Sequence, residues 1–243
     1  MAADAVQAPD HGASPVLDVL RSAAFYLAFY GGSIGLVLAA CLFLALRSER
    51  PFRAMVHGWA RWHRWCVIHL LGITIKIEGV RPGAGTLVAL KHEAFFEAID
   101  LPALLNLPVI FAKAELLRIP LWGLVAARYG LISVERDAGA RTLRTMLAEA
   151  RRLTAEGRPL AIFPEGTRVP HGRHGALQSG FAGLYKLLNL PVVPVAVNSG
   201  PLYHRLIKRR GTIRIIFGEP IPAGLGREEI EARIEAAINL LNT

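Results

Sequence analysis

Between Ser22 and Leu46 the chain carries no charged residue, and nothing else in it restricts the fold so tightly. As a helix this stretch reaches about 37 Å, against a hydrocarbon core of about 30 Å, so it reads as a tilted transmembrane anchor. Tyr26 and Tyr30 suit an interfacial position near one end. Arg47, Arg50, Arg53, Arg61 and Arg64 crowd the other, which predicts that everything after Leu46 lies on the cytoplasmic side of an inner or cytoplasmic membrane. A secretory signal peptide needs a basic start. The residues before Ser22 offer instead Asp4, Asp10 and Asp18 with only Arg21, so the segment is read as an anchor that is kept. Ahead of it, residues 1–21 lack an apolar period and are expected to form a disordered tail.

Residues 47–71 predict a second, different helix. At 100° per residue, Arg53, His57, Arg61 and Arg64 share a sector, and Phe52, Met55, Trp59, Trp62, Trp65 and Cys66 lie opposite. A basic face backed by tryptophans fits an amphipathic helix lying on an anionic membrane surface; the other reading turns the tryptophans into the protein core. The formal net charge of +9 calls for an anionic partner. No helix-turn-helix, zinc-finger or RNA-binding signature is present, so the partner is expected to be lipid or a phosphorylated substrate rather than nucleic acid. Cys41 and Cys66 have no CxxC partner, which leaves neither a disulfide framework nor a zinc site, and no metal is expected.

From residue 72 to 243 the pattern is that of one domain. Apolar runs at 73–77, 86–90, 108–112, 131–134, 159–163, 192–197 and 213–217 predict strands. Stretches 98–106, 116–128, 138–155, 176–188 and 228–241 predict helices. Their alternation predicts an α/β fold with a mostly parallel or mixed sheet flanked by helices.

Two stretches carry chemistry. His92 follows the strand-like run Thr86 to Leu90, and Glu97 follows five residues later. On a continuous helix the two would be turned about 140° apart, so they meet only if the backbone bends between strand and helix. Taken alone, the pair is either a base with its orienter or two unrelated groups in solvent or core. The second stretch, Phe163-Pro164-Glu165-Gly166-Thr167-Arg168, sits after a buried-looking strand, at the strand end where α/β folds bind ligands. Gly166 permits close backbone approach, Thr167 brings a hydroxyl and Arg168 a fork that matches phosphate; Glu165 could steady the arginine or accept from a hydroxyl. Asp100, followed by Pro102, reads as a helix N-cap.

Taken in order, the His92-x4-Glu97 block, Lys113-Ala114-Glu115-Leu116 with Pro120 and Gly123, residues 163–168, and Val193-Pro194-Val195-Ala196-Val197 resemble the glycerolipid acyltransferases, specifically the 1-acyl-sn-glycerol-3-phosphate (lysophosphatidic acid) acyltransferases. The resemblance spans about residues 70 to 220. It implies a membrane-bound enzyme that moves an acyl chain from a thioester to the sn-2 hydroxyl of a lysophospholipid. His92 and Glu97 are then the catalytic pair, and Lys113, Glu165, Gly166, Thr167 and Arg168 the binders of the acceptor's phosphate. The implied partners are a lysophospholipid, a membrane surface and a thioester of coenzyme A or acyl carrier protein, with no other cofactor. Amides near Val193 to Val197 are candidate oxyanion donors. The chain departs from the family pattern in having Glu97 for the aspartate, Lys91 for the asparagine before the histidine, Ala94 for the serine after it, and Gln178 where a lysine is common. The alternatives are transfer to another lysolipid, such as a lyso-aminolipid, and a tethered lipid-binding protein without catalysis.

Overall fold

The computed structural model describes residues 14–134 and 140–242, with backbone alone for 140–143. The tail expected over 1–21 therefore lies outside the described residues up to residue 13, as do residues 138 and 139 of the helix expected over 138–155.

Helix α1 spans Pro15–Ala45, so the part of the expected tail from Pro15 onward is helical. Proline suits the first turn, where its missing N–H has no intrahelical role. After a turn through Arg47, whose φ is 53°, α2 spans Glu49–His69 and runs back along α1. Trp59 Nε1 donates to Ser33 Oγ at 2.9 Å, and Trp62 Nε1 donates to the Ala28 carbonyl at 3.2 Å. A Cβ at Gly32 would stand 2.3 Å from Trp62 Nε1, so only glycine admits that indole. Trp59 and Trp62 thus turn to α1, as the alternative reading has it, and Arg64 turns inward, while Arg61 and Trp65 stay exposed on α2. The 100° arithmetic assumed one apolar side, whereas α2 has α1 on one flank and the domain on the other.

Among the described residues the domain holds a seven-stranded sheet of β1 (Ile73–Glu78), β2 (Leu87–Leu90), β3 (Val109–Lys113), β4 (Leu131–Val134), β5 (Leu160–Ile162), β6 (Val192–Val197) and β7 (Gly211–Phe217), in the order β1-β7-β6-β2-β5-β3-β4. Strands β6, β2, β5, β3 and β4 run parallel, and β7 turns antiparallel to β6 with β1 parallel to it. The mixed sheet is thus the one expected. The central β2 and β6 are buried along their whole length, as parallel strands covered on both faces must be, while β1 alternates.

One face packs under α1, α2 and α3 (Phe95–Leu104) through Phe25, Val67, Phe96 and Ile213. The other packs under α5 (Ala140–Ala155), α6 (Ser179–Leu188) and α8 (Arg227–Ile238) through Leu147, Phe181 and Ile234. The helix expected over 116–128 is divided. A 3-10 turn, Ala114–Arg118, is followed by α4 (Trp122–Tyr129), with Pro120 and the left-handed Leu121 (φ 62°) between them.

Asp100 is not an N-cap. It lies inside α3, buried, and takes two hydrogen bonds from Arg64, Nε to Oδ1 at 2.8 Å and Nη2 to Oδ2 at 2.6 Å. Burial pushes its carboxyl up and the guanidinium opposes this. The pair docks α2 on the domain.

Candidate functional site

Parallel strands bring their C-terminal ends to one edge, and there β2, β5 and β6 deliver His92, the loop 163–170 and Ser199. Strand β2 ends at Leu90. The chain then bends through Lys91 to Ala94, the last in extended backbone (φ −143°, ψ 179°), before α3 begins at Phe95. That bend brings His92 and Glu97 together: Nδ1 of the imidazole lies 3.3 Å from Glu97 Oε2. The helix start also fixes Glu97, since its Oε2 accepts the Ala94 N–H at 3.0 Å, half of a capping box. Its Oε1 accepts the Ser199 hydroxyl. With both oxygens accepting, the carboxylate is held in one orientation. The Glu97 side chain is 1% exposed and that of His92 14%, so the imidazole alone meets the outside.

Nδ1 faces the carboxylate, so the tautomer in which Nδ1 donates to Glu97 is the one that presents Nε2 outward as an acceptor. The ring stacks on Phe163 with centroids 4.2 Å apart, and the His92 carbonyl accepts the Val169 N–H at 2.8 Å. The 163–170 loop thus holds the histidine from ring and backbone at once.

Gly166 has φ 63°, the conformation a side chain would resist, in a turn closed by its N–H to the Phe163 carbonyl at 2.9 Å. Thr167 and Arg168 are exposed, and the Arg168 guanidinium lies 4.1 Å over the Phe95 ring, in the first turn of α3. Lys113 is exposed at the C-terminal end of β3, two places from β2 in the sheet and on the same edge. The structure therefore brings His92, Glu97, Gly166, Thr167 and Arg168 together and sets Lys113 along the same edge.

Glu165, expected among the phosphate binders, points instead into the fold. Its side chain is fully buried, Oε1 accepting from Lys91 Nζ at 2.7 Å and Oε2 lying 3.4 Å from the His92 N–H. Lys91 also donates to Asn239 Oδ1 at 2.8 Å and the Arg173 carbonyl at 3.3 Å. The lysine in place of the family's asparagine thus has a full set of partners, and this buried pair ties the 163–170 loop to β2. The amides of Val193 to Val197 are not free for an oxyanion either, because β6 is paired with β2 on one side and β7 on the other.

Residues absent from the sequence-based set complete the surroundings. Glu93 is buried, with Oε1 2.8 Å from His171 Nδ1 and Oε2 accepting the Gly200 N–H at 2.7 Å. Burial pushes its carboxyl up, and the bonds to His171 and Gly200 pull the other way. Glu93 and Glu97 therefore grip Gly200 and Ser199, two successive residues of one turn. The one signal in the sequence was that Asn198-Ser199-Gly200 directly follows the buried run 192–197.

Residues 72–198 match the family model described as Acyltransferase. The chain is 28% identical to the 1-acyl-sn-glycerol-3-phosphate acyltransferase of Pseudomonas aeruginosa, over 92% of this chain and 90% of that protein. It is 25% identical to the human 1-acyl-sn-glycerol-3-phosphate acyltransferase alpha, over 86% of this chain and 76% of that one. Among solved structures, the crystal structure of the 1-acyl-sn-glycerophosphate (LPA) acyltransferase PlsC from Thermotoga maritima superposes with a TM-score of 0.67 at 19% identity, covering 93% of this chain and 92% of that one.

Proposed function

Because this chain belongs to the Acyltransferase family, we propose that it transfers a fatty acyl group from a thioester to the sn-2 hydroxyl of lysophosphatidic acid, giving phosphatidic acid. The observation that carries the proposal is the His92–Glu97 pair, open on the histidine side and sealed on the glutamate side. As the hydroxyl oxygen attacks the thioester carbonyl, Nε2 of His92 takes its proton, and Glu97 holds the Nδ1–H and stabilises the imidazolium. Collapse of the tetrahedral intermediate breaks the carbon–sulfur bond, and the departing thiolate takes the proton back. Arg168, with Thr167, the Gly166 turn and Lys113, receives the acceptor's phosphate and so holds the hydroxyl at Nε2. The thioester, of coenzyme A or acyl carrier protein, is a co-substrate, and no other cofactor enters the proposal.

Helix α1 is long and apolar enough to cross a membrane, and lipid substrates require the site to work at one. Crossing once, with the domain on the cytoplasmic side, agrees with the arginines after Leu46. One observation favours a second seat, with α1 lying in one leaflet. Both its halves are bound to the same domain, Tyr26 Oη donating to the Leu206 carbonyl at 2.7 Å and Ala40 packing in a cluster with Val125 and Tyr129. Leu20, Leu27, Ile34, Leu38 and Leu42 stay exposed on the outward side. A cysteine placed at Ser14 and labelled from either side of sealed vesicles decides. Labelling from the side opposite the domain means a crossing, and labelling from the same side means one leaflet.

Detergent-purified protein should transfer acyl groups to lysophosphatidate from at least one of the two thioesters, and His92→Ala should not. No transfer by wild type, beside a working control enzyme, would overturn the assignment and direct the test to other lysolipids. Lysophosphatidate binding that survives His92→Ala with no turnover in either protein would mark a binding protein.

A further inference from the structure

After Ser199 and Gly200 the chain forms the short helix α7 (Gly200–Tyr203), and then a loop, 204–210, leads into β7. His204, Arg205, Arg209 and Arg210 are exposed on this loop, and no acidic residue occurs between Tyr203 and Ile213. Set among these cations, Leu206 is 79% exposed and Ile207 46%. Large aliphatic side chains held in water forgo the burial that favours folding, so their display calls for something to cover them.

The tip is firmly held. Lys208, the loop's one buried cation, donates from Nζ to the Tyr203 carbonyl at 2.5 Å and the Arg205 carbonyl at 2.8 Å, and lies 4.2 Å over the Tyr203 ring. Its backbone N–H donates to Ser22 Oγ at 2.9 Å, and the Leu206 carbonyl accepts from Tyr26 Oη. The Arg209 N–H closes the loop on the Leu202 carbonyl at 2.9 Å. The loop is thus fastened to the N-terminal half of α1, beside a helix surface that exposes Leu20, Leu27 and Tyr30.

We propose that loop 204–210 is a second membrane-contact element, in which Leu206 and Ile207 enter the acyl boundary while Arg205, Arg209 and Arg210 engage anionic phosphate headgroups. An apolar tip set among cations matches an anionic leaflet, which presents charge above hydrocarbon. Continuity with the apolar side of α1 places the tip where a membrane already lies. The proposal rests on the membrane association of this chain and is independent of its acyl-transfer chemistry.

The test attaches a polarity-sensitive fluorophore to Leu206→Cys in full-length protein carrying Cys41→Ser. Cys66 is buried with its thiol pushed up to about 11, and stays unlabelled. A second probe at Ala232→Cys, on the exposed side of α8 across the sheet, is the reference. On vesicles containing about one third phosphatidylglycerol, the probe at 206 should shift to the blue and be quenched by brominated acyl chains, while the probe at 232 should not change. Replacing Arg205, Arg209 and Arg210 with Gln should raise the lipid concentration for half-maximal shift by about tenfold or more on these vesicles, and leave weak binding to phosphatidylcholine unchanged. A probe at 206 that stays water-like overturns the proposal, as does equal burial on both vesicle types. Acyl transfer in detergent micelles by Leu206→Ser should equal that of wild type; its loss would mean that the tip serves the fold. Wild type that transfers no acyl group would overturn the enzymatic reading and leave the fluorescence result standing.

Discussion

Lys91 and His92 are neighbours at the end of β2, and each pairs with a glutamate, but the two pairs are built for opposite purposes. Successive residues leaving a strand point to opposite faces. Lys91 turns into the layer closed by Asn239 and meets Glu165 with both side chains sealed from water. His92 turns the other way, and its pair with Glu97 is longer, 3.3 Å against 2.7 Å, and open on the imidazole side. A sealed pair with all its hydrogen bonds resists losing either partner and fixes geometry. A pair with one open nitrogen can exchange a proton. The comparison separates a residue that holds the site from a residue proposed to act in it, although both sit in one motif.

Substitutions should pull the two pairs apart. His92→Ala is expected to lower acyl transfer about a thousandfold or more with an unchanged melting temperature, read by initial rates and thermal melts. Lys91→Met should do the reverse, destabilising the fold by about 3–5 kcal/mol because Glu165 is left as a buried unpaired charge. Adding Glu165→Leu should recover much of that loss in chemical denaturation.

A third buried group sharpens the contrast because it has no carboxylate at all. His63 sits between α2 and the domain with Nε2 2.8 Å from Tyr203 Oη, and burial, helped by Arg64 and Lys208, holds its pKa down at about 3 against an ordinary 6.5. Below 6.5 the unfolded chain takes up a proton that the folded chain refuses, so stability is lost as the pH falls from 6.5 toward 3. By pH 5 the loss should be about 2 kcal/mol, and His63→Gln should lack that part of the pH dependence of melting.

The smallest effect concerns Ser199, whose hydroxyl holds Glu97. Ser199→Ala should lower kcat about tenfold and leave KM for the acceptor near its wild-type value, with recovery in Ser199→Thr. A loss confined to KM would mean that the hydroxyl does not act through the pair.

Much of this was legible before the fold. The seven strands stood out as apolar runs, and His92 with Glu97 required only a bend at a strand end, which α3 supplies by starting at Phe95. Gly166 was singled out by residue type for its backbone freedom, and the structure gives it a positive φ. What failed were readings that treated an element alone. Arg64 looked like one more solvated cation on α2, and Asp100 like a cap, until their elements met and the two paired. Glu165 looked like a ligand because its loop sits where ligands bind, yet its side chain points back to Lys91.

The sequence by itself determined the elements, the apolar length of α1 and the order of the reactive blocks, because hydrophobic period and backbone preference act over a few residues. Only the tertiary structure decided which carboxylate stands beside an open imidazole and which is sealed inside the fold. Glu97 and Glu165 differ in burial partners that are remote along the chain, Ser199 for one and Lys91 with Asn239 for the other. A charge is committed by what surrounds it once water has been removed, and that environment exists only after the layers close.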